Sequence, residues 1–559
     1  MDSGDPLNTG DNSAENIVVR HFRQILLWPL QLMPVREDAQ TQKPWEVLEQ
    51  AGATNPWREL SSEFSGDQQR FQRRHYNEFI TFLPKVQRFL YGEGMVGGGN
   101  AWHSESPVRV FRRNDISRVR VTYLDDQSPV LFDVGHMELY FFYDIDVILL
   151  AVEIFADDLS LHQVQHTLYG FGRAYPMDWE PEGAGSHCLH CIEWLDAGGG
   201  ILAVSDYEKE ERYLAFVARY RAPHIASHWE YLLQPLAMHY SGSVEQLRYR
   251  QIEYHRMPLV AYLAVDDPTG LSRADFIRLG LSAAPGSGDV LPYSSRYLRG
   301  FERRYCYDRY WSPDDKGMNT RFICTGSTLV VVGSTAQPRF VDAETGTLGQ
   351  FRHQYFLMFL VAHFHRAALL MFSDRLVNAL NRLDIQNTDT IRQFKRTIRQ
   401  ISEIFLRFTH RYWFHEISDQ VPAKELFRMC ADNLGTEELF NEVREEVQDM
   451  GNYLDSDSLR RQSNSMLRLT VVTIFGMIAS VTTGFLGMNL IDETRASLSV
   501  KLIYFMLVAL PAGLMALYAV LRSRRLSDFL DALSDERVPV RAKYAALANV
   551  FRKRSRSTY

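Results

Sequence analysis

Cysteine is scarce in this 559-residue sequence, which contains five of these residues. They are too few and too scattered for a disulfide framework, and this usage is typical of a reducing compartment. Residues 1–16 also lack the basic region and apolar core of an export signal. Their Asp, Asn, Ser and Gly content instead predicts a disordered leader.

The sequence has no excess of positive charge and no recognisable nucleotide-binding loop. A net charge of -7 and a pI near 6.2 argue against a nucleic-acid partner. Thr325-Gly326-Ser327 lacks the additional glycines and the lysine that a phosphate-binding loop needs. No convincing hydrolase constellation is visible either. We therefore predict no enzyme activity and no organic cofactor.

Two long uncharged runs lie near the C-terminus, at residues 469–486 and 502–521. At about 1.5 Å per residue these helices would be roughly 27 and 30 Å long, close to the hydrocarbon thickness of a bilayer. The sequence therefore predicts a transmembrane hairpin, with helices at 467–489 and 502–521 and an external loop at 490–501. A buried core hairpin of a soluble protein is the alternative.

The charges that flank these runs predict the orientation of the hairpin, because Lys and Arg concentrate on the cytoplasmic side. The basic residues that flank the two uncharged runs are Arg460, Arg461, Arg468, Arg522, Arg524 and Arg525. The loop contains two acidic residues, Asp492 and Glu493, and two basic residues, Arg495 and Lys501, so it carries no positive excess. We expect a multi-pass protein of the inner (plasma) membrane with both termini cytoplasmic. The basic tail at 522–559 suggests contact with anionic membrane lipid, and a merely solvated helix is the alternative for this tail.

Residues 17–350 alternate short β-branched runs with amphipathic stretches, which predicts a cytoplasmic α/β domain. The predicted strands are Val108–Phe111, Val119–Tyr123, Glu138–Phe142, Cys191–Leu195, Ile201–Val204 and Thr328–Val332. Asp146–Phe155 is strongly apolar, but acidic residues surround and enter it. This run is therefore predicted to be a buried soluble element and not a membrane span.

Residues 351–466 are predicted to form a helical stalk region. Three helices are expected, at Phe351–Leu383, at Thr388–Glu416, and from Ala423 into the first membrane span. His363, His365 and Arg366 interrupt the apolar part of the first helix. These polar residues favour a buried interhelical face over a membrane span.

Small or weakly polar residues recur at spacings of three and four in the first membrane run, and so share one face of the helix. They are Met466, Thr470, Thr473, Met477, Ser480, Gly484 and Gly487. Such a stripe suits close helix packing. It equally suits a pore lining, which would require a ring of copies because two helices cannot enclose a pathway.

The C-terminal pattern resembles the CorA family of divalent-cation transporters, which belongs to the two-transmembrane Gly-x-Asn superfamily. The resemblance rests on Asn464–Thr470, the apolar run, Gly484–Asn489 with its Gly-Met-Asn triplet, a short loop and a second apolar helix. It covers about the last quarter of the chain. Three departures are a longer cytoplasmic region, Ser463 where many members place a pore Asn, and the tail extension at Ser527–Tyr559.

This resemblance implies a homopentamer with a funnel of cytoplasmic α/β/α sandwich domains, a long stalk helix and two transmembrane α-helices per subunit. The selectivity mouth would be Gly487, Met488 and Asn489. The implied pore-lining residues are Met466, Leu469, Thr473, Met477 and Ser480. Asp492 and Glu493, just beyond the triplet, would attract cations to the mouth. Ordinary loop acids are the alternative for this pair.

The implied activity is channel-like transport of magnesium, with cobalt or nickel as further cargo. Neutral amide and carbonyl oxygens suit a hard ion that keeps several waters. Proton-coupled zinc transport by the same fold and a membrane-anchored sensor or scaffold are the alternatives. The family is gated by regulatory cation binding between cytoplasmic domains. Candidate carboxylates here are Asp125, Asp126, Asp157, Asp158 and the acidic surface of the last stalk helix.

One other cluster has residues suited to metal binding. His187, Cys188, His190 and Cys191 have the density of a zinc site. A second ligand pair with comparable spacing does not follow in the sequence. A loop that enters the strand at Cys191 is therefore the alternative interpretation.

Overall fold

The computed structural model describes residues 17–33, 43–50, 52, 55–60, 73–92, 106–124, 128–181, 183–239, 247–252, 256–286, 290–314, 317–384, 387–487 and 497–521. The chain divides into two compact units, Met1–Val447 and Gln448–Tyr559. The predicted leader at 1–16 and the predicted basic tail at 522–559 lie outside the described residues.

The first unit contains a large sheet, and the prediction of a mixed α/β fold is confirmed. Its strands are β1 (Val18–Met33), β2 (Trp57–Glu59), β3 (Val108–Arg113), β4 (Arg118–Thr122), β5 (Val130–Phe142), β6 (Ile145–Ser160), β7 (Cys191–Leu195), β8 (Ile201–Val204), β9 (Ala237–Met238), β10 (Arg248–Gln251), β11 (Leu259–Val265), β12 (Cys306–Tyr307), β13 (Arg321–Cys324) and β14 (Thr328–Ser334).

The helices of this unit surround the sheet or follow it in the chain. They are α1 (Pro44–Gln50), α2 (Arg73–Thr81), α3 (Pro84–Tyr91), α4 (Leu161–Gly170), α5 (Glu210–Tyr220), α6 (Ser227–Leu233), α7 (Arg273–Leu281), α8 (Ser295–Leu298), α9 (Phe301–Tyr305), α10 (Pro338–Val341), α11 (Thr347–Gln350), α12 (Phe356–Asn381), α13 (Thr388–Arg411) and α14 (Val421–Leu434). Then α15 (Thr436–Gly487) runs into the second unit, which also holds α16 (Leu498–Leu521).

Fourteen strands of the described chain belong to one sheet, whose main order is β12-β13-β14-β11-β1-β6-β5-β4-β7-β8. β10 extends from β1, and β3 pairs with β5. Most neighbours are antiparallel, although β11 and β14 run parallel. The long strands β1 and β6 form the centre of the sheet.

The central strands are buried on both faces because helices cover them. Phe22, Leu26 and Trp28 of β1 alternate with residues that point to the other face, and all three belong to one apolar core with Leu161 and Leu168 of α4. Helix α12 also packs on β1 and β6. This double coverage explains why residues 25–33 of β1 and 147–154 of β6 are nearly continuous apolar runs.

Helix α12 is an internal helix of the first unit. In the part of the chain that the structure describes, one helical stretch, Thr347–Asn381, is long and apolar enough to cross a membrane. Of its most apolar 18-residue segment, 78% is buried inside the protein. His363 and His365 are buried, and their Nε2 atoms contact the carbonyls of Gly326 and Tyr412 at 3.2 and 2.6 Å. The apolar surface of α12 is therefore used in packing.

The helical region also differs from the expected division. The structure groups α12, α13 and α14 with the sheet in one unit, and the boundary falls after Val447. The predicted single helix from Ala423 into the membrane span is wrong, because Gly435 separates α14 from α15. The predicted strand bounds at Cys191–Leu195 and Ile201–Val204 are confirmed.

Candidate functional site

Helix α15, which carries the candidate pore residues, begins immediately after a left-handed turn. Gly435 has φ 64°, and its N–H contacts the carbonyls of Ala431 and Asp432 at the end of α14. Glycine adopts this conformation without the steric cost that a side chain would add, so it terminates α14. The first turns of α15 then pack on the rest of the unit, where the Phe440 and Trp413 rings stack with centroids 4.4 Å apart.

The predicted stripe and Leu469, which the resemblance implies to line the pore, lie on the described, exposed part of α15. Met466, Leu469 and Met477 are 62%, 71% and 61% exposed. Thr470, Thr473 and Ser480 are also exposed, and so are Gly484 and Gly487. A soluble monomer rarely leaves large apolar side chains so open along a helix. This surface therefore needs a lipid or protein environment.

Threonine hydroxyls on this helix are satisfied by the helix itself. Thr470 Oγ1 donates to the Met466 carbonyl at 2.9 Å, and Thr473 Oγ1 donates to the Leu469 carbonyl at 2.8 Å. Thr483 makes the same contact with Ala479. These bonds let polar side chains sit in a low-dielectric environment without losing a hydrogen bond.

The predicted selectivity mouth is only partly covered by the structure. Gly487 is the last residue of α15. Met488, Asn489, Asp492 and Glu493 lie outside the described residues. Helix α16 begins at Leu498, after the described chain resumes, and contains Pro511. Its exposed apolar residues include Leu498, Leu502, Ile503, Phe505, Leu507 and Leu514.

The predicted zinc cluster is not assembled in the structure. Among the residues described, no group of three or more His, Cys, Asp or Glu side chains is placed to hold a metal ion. Cys188 is buried, and desolvation raises the pKa of its thiol to about 12. The His187 ring contacts the Tyr169 hydroxyl, and Cys191 is the first residue of β7. The segment is a loop that enters a strand.

Two of the candidate regulatory acids form ion pairs within the chain. Asp157 pairs with His21 at 2.9 Å, and Asp158 pairs with Arg20 at 3.0 Å. Asp125 and Asp126 lie outside the described residues. On α15, partial burial and the neighbouring Glu442 carboxylate raise the pKa of Glu446. Asp157 and Asp158 remain exposed despite these ion pairs, and the acidic surface of α15 also carries exposed carboxylates, at Glu438, Glu442 and Glu445.

Two small cavities, the first lined by both polar and apolar residues, were not anticipated from the sequence. One of about 180 Å³ is lined by Gln31, Arg250 and Asp374, and here Arg250 contacts both of the other side chains. Another of about 220 Å³ adjoins the π-helical turn Phe351–Tyr355 that precedes α12. Each cavity draws its lining from distant segments, so no local sequence signal marks it.

Ionisable groups with shifted pKa values lie on α6 and beside it. Asp206 accepts hydrogen bonds from Tyr213 Oη and from the backbone N–H of Ser227, and its contacts lower the pKa of its carboxyl. Burial lowers the pKa of His228 to about 3 and raises that of Glu230 to about 7. These groups anchor α6 in the core. Neither of the two cavities above is lined by Asp206, His228 or Glu230.

Comparison of the chain with models of protein families, with curated proteins and with solved structures finds no match in any of the three.

Proposed function

We propose that this protein is a channel-like transporter of divalent metal cations, with magnesium as its principal cargo and cobalt or nickel as further cargo. The observation that carries the proposal is the exposed stripe of α15, which ends at the glycine of the Gly-Met-Asn triplet. Met466, Leu469 and Met477 follow one helix face, together with small and hydroxylated residues.

The apolar surfaces of α15 and α16 support a membrane location. Side chains such as Leu469, Leu498 and Leu507 are more than half exposed in the single chain. Burying each of them in hydrocarbon would contribute roughly 1.5–3 kcal/mol, by the transfer free energy of a large apolar side chain. We propose that both helices cross the inner membrane, with both termini in the cytoplasm.

A pathway requires more than one copy, because a two-helix protomer cannot surround an aqueous pore. In the proposed homopentamer, the stripe of α15 turns inward and α16 forms an outer ring against lipid. Met466, Leu469 and Met477 would be hydrophobic constrictions, while Thr473 and Ser480 would contact water. The α/β units would form the cytoplasmic funnel.

The chemistry of the triplet suits a hydrated magnesium ion. Mg²⁺ is small and dehydrates reluctantly, so it usually keeps several of its water ligands. A ring of Asn489 amides and Gly487 carbonyls would hydrogen-bond to those waters and leave the ion mobile. Five copies of Asp492 and Glu493 near this mouth would raise the local cation concentration.

Flux into proteoliposomes tests the proposal. Full-length protein should admit Mg²⁺ down its gradient, and Asn489→Ala should abolish the flux without changing the oligomer mass. Asn381→Ala, at an exposed position of α12, is the matched control and should transport normally. Normal Mg²⁺ flux through the Asn489→Ala variant would refute the assigned mouth.

The same assay separates the alternatives. Zinc uptake that requires a proton gradient would replace the magnesium channel with a proton-coupled zinc transporter of the same architecture. Absence of flux for every cation, from protein with intact oligomers, would favour a membrane-anchored sensor or scaffold.

A further inference from the structure

Helix α13 is strongly amphipathic, and its exposed side is basic. It contains Arg392, Lys395, Arg396, Arg399, Arg407 and Arg411 against Asp389 and Glu403, a balance of six basic to two acidic residues. Its buried face is formed by Phe394, Ile398, Ile401, Phe405 and Phe408. Arg392, Arg396 and Arg399 follow the opposite side, each two positions from a buried residue, and all three are exposed.

The first turns of α15 have the opposite charge. From Thr436 to Val447 they contain Glu437, Glu438, Glu442, Glu445 and Glu446 against Arg444, a balance of five acidic to one basic residue. Phe440 and Val443 form the buried face. Glu438, Glu442 and Glu445 again lie two positions away from the buried residues, and they are exposed.

These two exposed faces have the same spacing. Arg392, Arg396 and Arg399 occupy positions i, i+4 and i+7 of their helix, and Glu438, Glu442 and Glu445 occupy positions i, i+4 and i+7 of theirs. Residues at this spacing form one row along a helix. We call these rows the basic row and the acidic row. Two antiparallel or parallel helices could therefore match charge to charge over two turns.

The rows remain largely unpaired within one chain. Arg392 contacts Asp389 at 3.5 Å on its own helix, whereas the remaining members of both rows make no ion pair with any residue that the structure describes. Within one copy, α13 and α15 meet through their apolar faces, since the Phe405 and Phe440 rings stack with centroids 5.8 Å apart. That contact directs both rows away from the shared core.

We propose that the basic row of one copy docks against the acidic row of a neighbouring copy. The contact joins two different surfaces, so each copy uses its basic row towards one neighbour and its acidic row towards another. Such head-to-tail contacts close into rings when the rotation between copies permits. The inference deepens the proposed function, because a ring of copies is what the pathway requires, but its geometry can be tested without transport.

Charge complementarity favours a second copy over other partners. An anionic lipid surface would satisfy the basic row and leave the acidic row without counter-charges. A nucleic acid would do the same, and a chain with net charge -7 lacks the basic surface that nucleic acids need. Only a partner that carries both signs at this spacing satisfies both rows, and the chain itself is such a partner.

Site-specific crosslinking between differently tagged full-length chains tests the contact. One chain carries Arg396→Cys and the other Glu442→Cys, and a short bismaleimide is added to the co-purified protein. We expect a product that contains both tags. Unsubstituted chains are the control for the native cysteines, and a chain with Arg219→Cys, exposed on α5, replaces the Arg396→Cys chain in a second control. Equal product with Arg219→Cys, or no product at all, overturns the inference.

Charge reversal then tests whether the attraction is electrostatic. Adding Arg392→Glu and Arg399→Glu to the Arg396→Cys chain should lower the yield by about fivefold or more, because like charges then face each other. Adding Glu438→Arg and Glu445→Arg to the partner chain should restore it. Reversal of Arg219 and Arg296, which are exposed elsewhere, should leave the yield unchanged. A yield that ignores the reversals overturns the inference.

The failures of the two proposals are distinguishable. If Mg²⁺ flux depends on Asn489 but the crosslink is absent, the transport proposal stands and this docking contact is wrong. If the crosslink forms and reverses with charge while no cation is transported, the docking contact stands and the transport proposal is wrong.

Discussion

Arg352 and Glu153 form a two-point ion pair that joins the π-helical turn before α12 to the centre of the sheet. Arg352 Nε donates to Glu153 Oε1 at 3.0 Å, and Nη2 donates to Oε2 at 3.2 Å. Glu153 is 2% exposed, and Arg23 also reaches its Oε1 at 3.3 Å. Gly135 leaves room for this carboxylate, because a Cβ there would lie 2.4 Å from Oε2.

Arg352→Met should destabilise the first unit by about 3 kcal/mol, because it leaves a buried carboxylate with only one guanidinium partner. The free energy of unfolding of full-length protein in detergent is the measurement. Arg296→Met, at an exposed position, is the matched control and should change it by less than about 0.5 kcal/mol. Equal stability of the two variants would contradict a structural role for the pair.

Gly326→Ala should weaken the attachment of α14 to the sheet. Gly326 has φ 88°, and a Cβ there would lie 3.0 Å from the backbone of Asn433. Gly183→Ala is the control, because Gly183 has φ 85° and nothing lies within 4 Å of its Cβ position. Both variants should lose about 1 kcal/mol of stability, because alanine is disfavoured at positive φ. Thermal unfolding should show an additional loss for Gly326→Ala alone, and equal losses would disprove the close contact.

His228 should make the protein sensitive to acid. Burial lowers its pKa to about 3 in the folded chain, whereas an unfolded His titrates near pH 6.5. Below that pH the unfolded state takes up a proton that the folded state excludes, so stability falls by about 1.4 kcal/mol per pH unit towards pH 3. Its contribution is complete above about pH 6.5.

His228→Gln should therefore reduce the slope of unfolding free energy against pH in this window, whatever it does to the stability at neutral pH. His410→Gln is the control, because His410 is exposed on α13. Unfolding curves between about pH 4 and pH 7 supply the slopes. An unchanged slope in the His228→Gln variant would show that another group carries the acid sensitivity.

Zinc removal should have no effect on the first unit. The Cys188 thiol is buried with a pKa raised to about 12, so it is a poor source of the thiolate that binds zinc. We expect purified protein to contain no stoichiometric zinc, and its unfolding temperature to be unchanged by a chelator. One equivalent of bound zinc that is lost in a Cys188→Ser variant would contradict this prediction and would support a zinc site at Cys188.

The sequence alone determined the local elements whose signals lie within a few residues. Short apolar runs between polar stretches were sufficient to place β7 at Cys191–Leu195 and β8 at Ile201–Val204. The prediction from His363 and His365 that α12 is buried is confirmed, because both imidazoles have carbonyl partners in the protein core. The stripe from Met466 to Gly487 also follows from helical spacing alone.

Tertiary structure decided what an apolar run becomes and which charges pair. The run at Asp146–Phe155 was predicted to be buried, but its periodicity does not distinguish a buried strand from a buried helix. It became part of β6 because β1 and β5 flank it and supply backbone partners on both sides. The partner of Glu153, Arg352, is 199 residues away in the chain, and only packing brings such groups together.

The break at Gly435 has the same explanation. Its sequence context permits either a continuous helix or a termination, because an isolated glycine costs only about 1 kcal/mol inside a helix. Termination occurred because the end of α14 contacts the sheet, where Asn433 Nδ2 donates to the Cys324 carbonyl at 3.0 Å. Short-range patterns therefore determined β7, β8 and the candidate stripe, whereas long-range contacts decided what the run at Asp146–Phe155 became and where α14 ends.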